Sequence, residues 1–100
     1  MTVALDPVTM QDWLSTHQGW RLSTSVNGAP ALKKTYKFNS YNAAIGFIMR
    51  LALVAERANH HPDFQSLYKE VVVFWSSHSA GGVTQLDLDL AERCDMVADL

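Results

Sequence analysis

Residues 39–62 read NSYNAAIGFIMRLALVAERANHHP, and this stretch decides the fold. Asn39 or Ser40 can cap a helix by accepting from its first free N–H groups. The helix runs from Tyr41 to about Ala58 and is the longest element of the chain. Ala43, Ala44, Ile45, Phe47, Ile48, Met49, Leu51, Ala52, Leu53, Val54 and Ala55 make most of its circumference apolar. A helix of that kind must be covered on more than one side. His61-Pro62 closes it, because proline disfavours helical geometry in the residue before it. One small sheet covers a single side, so a second apolar surface is expected, most simply a contact between subunits. The alternative is a helix sandwiched within its own domain, for which 100 residues leave little chain.

Outward from the helix lies a strand pair on each side. Upstream, Trp20 to Val26 places Trp20, Leu22, Thr24 and Val26 at alternate positions, and Asn27-Gly28 is a strong hairpin signal. The return strand is expected from Ala31 to Phe38, just past Pro30. There Lys33, Thr35 and Lys37 face water, while Lys34 spoils the apolar parity of Leu32, Tyr36 and Phe38. Downstream, Asp63 to Tyr68 reads as a short strand, Lys69-Glu70 as a turn and Val71 to Ser77 as a β-branched and aromatic strand. Asp6-Pro7 opens a first helix ending near His17, with Met10, Trp13, Leu14 and His17 on one face. Gly81-Gly82 breaks the chain before a last helix, capped by Thr84, from Gln85 to about Leu100, with Leu86, Leu90, Arg93 and Val97 near one face. The order α-β-β-α-β-β-α argues for class α+β: a four-stranded antiparallel sheet with helices packed on one face. Residues 1–100 are expected to form a single domain.

Composition narrows the function. Hydrophobic residues make up 48% of the chain and the formal net charge is −2. The absence of a Lys/Arg cluster argues against nucleic acid and against electrostatic binding to membranes. The longest apolar run, Ala43 to Ala55, is interrupted by Arg50 and is too short to span a bilayer. Cys94 is the only cysteine, so no intrachain disulfide can form, and the N-terminus lacks the basic start of a signal peptide. A cytoplasmic location is expected.

Three of the four histidines fall around one strand. His60 and His61 end the long helix, and His78 follows the last strand. That strand must return beside the segment starting at Pro62, which brings His78 back towards the pair. Histidine exchanges protons near neutrality, and eliminating water needs one proton removed and one delivered. Glu56, four residues before His60, can hold that ring. A histidine pair at a helix end can equally serve as a structural cap on the last carbonyls. Zinc is the weaker reading, since adjacent imidazoles do not readily share one ion and Cys94 has no partner cysteine; no metal is expected. Tyr36, Phe38, Tyr41, Phe47, Phe64 and Trp75 read as core, and His17 as a residue of no special role.

The spacing of Glu56, His60-His61-Pro62, Tyr68, His78 and Asp87 resembles the signature of the pterin-4a-carbinolamine dehydratases. The segments Phe38 to Ala44, Leu53 to Pro62 and Ser77 to Thr84 are similar to that family as well, and the likeness runs over residues 20–97. It departs at Asn59, where many members carry an acidic residue, and at the bulky Phe74 and Trp75. The resemblance implies dehydration of a 4a-hydroxytetrahydropterin to quinonoid dihydropterin and water, serving aromatic amino-acid hydroxylases, with no metal or organic cofactor. It implies His60 and His78 as the acid/base pair, His61 as the residue that orients the pterin, and Glu56 and Asp87 as supports. Pro62, Ser77, Ser79 and Ala80 would line the substrate pocket. It also implies a homodimer or homotetramer. The alternative role that it carries is a non-catalytic dimerisation cofactor or assembly partner acting through the long helix.

Overall fold

The computed structural model describes residues 3–100. Its order is α1 (Pro7–Thr16), β1 (Arg21–Thr24), β2 (Pro30–Lys37), α2 (Tyr41–Ala58), β3 (Asp63–Leu67), β4 (Glu70–Trp75), a 3-10 turn (His78–Ala80) and α3 (Gln85–Ala98). The α+β class and element order are those expected. The strands form one antiparallel sheet in the order β1-β2-β4-β3. The side chains of β4 divide it by parity. Val71, Val73 and Trp75 join the helix-covered core, while Val72 and Phe74 pack with Ala31 in a smaller cluster of their own.

The caps act as their residue types require. Asp6 accepts the Thr9 N–H at 2.8 Å, which holds its carboxyl below the usual range, and Ser40 accepts the Ala43 N–H at 3.0 Å. On α2 the stripe Ala44, Phe47, Leu51 and Ala55 is buried. Met49 and Leu53 on its other side are 62% and 72% exposed, so one apolar side of this helix has no cover among the described residues.

Several expectations need correction. The first strand is limited to Arg21–Thr24, with Leu22 and Val26 exposed, because it is the sheet edge. Its hairpin is not a two-residue turn. The Ser25 N–H donates to Ala29 O and the Gly28 N–H to Ser25 O, leaving a three-residue loop with Gly28 at φ +87°. The second hairpin turns at Tyr68-Lys69 rather than Lys69-Glu70, with Tyr68 at φ +57°. On α3 the buried face is Asp87, Leu88, Leu90, Ala91 and Cys94; Leu86 and Arg93 point outward. Tyr41 and Phe64 are exposed rather than core.

Lys34, the residue that broke the parity of β2, enters a polar knot instead of facing water. Its Nζ lies 2.8 Å from Asp95 Oδ1, which also accepts the Tyr36 hydroxyl at 2.5 Å, while Oδ2 accepts the Trp20 indole N–H at 3.0 Å. Burial raises the Tyr36 hydroxyl far above its ordinary range and pushes the Cys94 thiol up to about 12. Both groups ionise more readily in the unfolded chain, so the fold loses stability as pH rises above about 9 towards 12. Equilibrium unfolding monitored by circular dichroism is expected to show a falling midpoint over that window. In the native protein at pH 7.5 or so, Cys94 should resist thiol reagents that modify it at once in denaturant.

Candidate active site

The site is built where α2 ends. Asn59 adopts a left-handed conformation (φ 52°, ψ 41°), its N–H donates to Glu56 O, and the His60 N–H donates to Ala55 O. This is a Schellman-type end, and asparagine tolerates the left-handed geometry it needs. The turn swings the two histidines in different directions. His60 is directed inward, its Nε2 2.6 Å from Asp87 Oδ1. His61 is directed outward, its Nε2 2.8 Å from Glu56 Oε1. The expectation that Glu56 holds His60 is therefore corrected: the helix ends between them, so the four-residue spacing no longer puts them on one face.

The two pairs differ in weight. His61 and Glu56 are 58% and 82% exposed, and such a pair contributes little. The His60 side chain is 17% exposed and Asp87 is fully buried. The Asp87 carboxylate also accepts the Ser77 hydroxyl at 2.7 Å, the Thr84 N–H at 2.8 Å and the Thr84 hydroxyl at 3.2 Å, all at Oδ2. The Thr84 N–H bond is the reach-back arm of a capping box, so the first turn of α3 and the histidine share one anion. The other support of His60 is Trp75, whose ring lies 5.8 Å away and 12° from parallel. Trp75 is fully buried; its indole N–H has no well-formed hydrogen bond and makes only a weak contact with the Cys94 thiol.

His78 arrives from the other side of the sheet end. Antiparallel pairing of Asp63 with Phe74 sets the start of β3 beside the end of β4. Beyond β4 the chain makes the 3-10 turn His78–Ala80, closed by a bridge in which the Ser77 N–H donates to Gly82 O at 2.8 Å. Gly81 at φ +69° lets the chain double back there. The result is an open cleft of about 500 Å³ lined by His60, His61, Pro62, Ser77, His78 and Ser79, together with Asn59, Asp63, Ser76 and Leu86. Ala80 does not line it; Glu56 and Asp87 stand behind the rings as supports.

Sequence reasoning missed Asn27, whose side-chain nitrogen lies 2.6 Å from His78 Nδ1. Asn27-Gly28 carries only a turn signal in sequence, and nothing in its spacing points to a histidine 51 residues away.

The class defined here is a small α+β protein with three imidazoles lining one cleft at the end of its sheet. Known proteins sharpen this. The residue profile of the family described as Pterin 4 alpha carbinolamine dehydratase matches residues 3–97, and the chain belongs to that family. A Bradyrhizobium diazoefficiens protein named provisionally as such a dehydratase is 48% identical over 77 residues, covering 77% of each chain. One from Bradyrhizobium sp. strain BTAi1, named in the same way, is 40% identical over 98% of this chain and 96% of its own. The crystal structure of a transcriptional coactivator/pterin dehydratase from Brucella melitensis superposes with a TM-score of 0.84 at 34% identity, covering 95% and 98% of the two chains. A pterin dehydratase-like protein identified as a RuBisCO assembly factor in the α-carboxysome gives 0.67 at 25% identity, over 82% and 92%. Among the described residues, no helix is long and apolar enough to cross a membrane.

Proposed function

We propose that the protein is a hydro-lyase that dehydrates 4a-hydroxytetrahydropterin to quinonoid dihydropterin, recycling a pterin cofactor. The observation that carries this reading is the convergence of His60, His61 and His78 on one cleft, with His60 seated on the buried Asp87. A volume of about 500 Å³ suits a ligand the size of a pterin. The reaction removes the N5 proton, forms the C4a=N5 double bond and breaks the C4a–O bond, and the oxygen leaves as water. His60 and His78 act as the acid/base pair, one taking the N5 proton and the other activating the departing oxygen, and the more exposed His61 orients the bicyclic ring. Asp87 stabilises charge on His60, and Glu56 steadies His61.

The test is ultraviolet-monitored dehydration of a 4a-hydroxytetrahydropterin generated in situ. The wild-type protein is expected to accelerate it well above the buffer rate. No acceleration by folded protein would overturn the reading and favour a partner role, for which one specific feature exists: the exposed Met49 and Leu53 on α2. A dimer or tetramer would cover that side with a second copy. Sedimentation of the same preparation reads this directly, and a monomer at all concentrations would oppose it.

A further inference from the structure

The loop between β1 and β2 reaches across to the cleft and sets the Asn27 amide against the His78 ring. Asn27 Nδ2 lies 2.6 Å from His78 Nδ1. The orientation of the amide follows from its other end. Oδ1 accepts the Ser25 hydroxyl and, at 3.4 Å, the Ala29 backbone N–H, a group that can only donate. The nitrogen, which can only donate, therefore faces the ring. His78 Nδ1 must accept, and the neutral imidazole then carries its proton on Nε2. The loop that presents the amide is well tied. Ser25 is buried, its N–H donates to Ala29 O at 2.8 Å, and the Gly28 N–H donates to Ser25 O at 3.0 Å.

His60 has the complementary arrangement. Its Nε2 donates to Asp87 Oδ1, and among the described residues its Nδ1 has no hydrogen-bond partner. One ring thus keeps a free lone pair and the other a free N–H.

We propose that Asn27 is a positioning residue that locks His78 in the Nε2–H form. His78 is thereby the hydrogen-bond donor to the departing oxygen, and proton removal falls to Nδ1 of His60. The assignment of steps rests on the dehydratase reading; the tautomer does not. The N5 proton passes to His60 Nδ1, and the electron pair of the N5–H bond completes C4a=N5. The C4a–O bond breaks, and the oxygen departs hydrogen-bonded to His78 Nε2–H. It becomes water with the proton that His60 took from N5, so the cycle closes with no net proton.

The experiment is long-range proton–nitrogen correlation NMR on protein labelled with ¹⁵N-histidine, at about pH 8, where ordinary imidazoles are neutral. In the wild type, His78 should show a pyridine-type Nδ1 and a pyrrole-type Nε2. Asn27→Asp offers the ring only acceptors and should reverse that pattern. It should also lower kcat about 10- to 100-fold, with KM and melting temperature little changed, because a misplaced proton disables a catalytic histidine. Asn27→Ala should give a mixture of the two forms. A wild-type His78 protonated at Nδ1, or a pattern that survives both substitutions, would overturn the proposal. A wild type with the expected pattern but no dehydratase activity would sink the reaction reading and still uphold the role of Asn27 in setting the tautomer.

Discussion

His60→Ala is expected to slow dehydration by about 10²- to 10⁴-fold, the usual worth of a positioned proton carrier, and to leave the protein folded. The ring makes one hydrogen bond, to Asp87 Oδ1, and stacks on Trp75. The ring itself stands at the cleft wall, 17% exposed, and without it Asp87 still holds its three donors from Ser77 and Thr84 at Oδ2. The loss is then about 1 kcal/mol, or about 4–8 °C in melting temperature for a chain of this size. Steady-state rates beside scanning calorimetry check both halves. Retention of the full rate would remove His60 from the chemistry.

Asp87→Ala attacks the same hydrogen bond from its buried end, and the outcome should differ in kind. The carboxylate satisfies the Ser77 hydroxyl, the Thr84 N–H and hydroxyl, and His60. Its removal strands donors in a place water does not reach, since Asp87 is fully buried. Breaking a buried charged network in this way costs about 3–5 kcal/mol. Set against a total stability of about 5–15 kcal/mol, that should lower the melting temperature by on the order of 20 °C. Activity should fall at least as far as in His60→Ala. Asp87→Asn refills the volume but turns an amide nitrogen towards some of those donors. It should regain part of the stability and none of the rate. An Asp87→Ala protein as stable as His60→Ala would contradict the network described here.

Much of this architecture is legible in the amino-acid sequence. The helical runs and the β-branched run at Val71–Val73 state their periods plainly, and the alternation of elements fixes the class. The histidine cluster was legible through spacing. What sequence could not supply is direction. Glu56 and His60 stand at helical spacing, yet the left-handed Asn59 between them sends His60 to a different carboxylate. Periodicity places Leu86, Leu90, Arg93 and Val97 near one face of α3; the buried stripe runs instead through Asp87, whose partners come from Ser77 past β4 and from the helix cap. Lys34 looked like a defect in β2 until Asp95 arrived from α3. In each case the deciding partner lies far along the chain, where local periodicity carries no information.

The shared anion at the start of α3 has a consequence for how such a protein can change over generations. A lineage that ceased to need the reaction could discard His60 at little cost, because the ring serves the cleft. It could not discard Asp87 so freely, because the same carboxylate closes the N-terminus of α3 and fastens Ser77 at the end of the sheet. The acidic residue would outlast the imidazole it serves. A descendant retired from chemistry and recruited as a scaffold would then still carry, buried under α3, the socket of its former histidine.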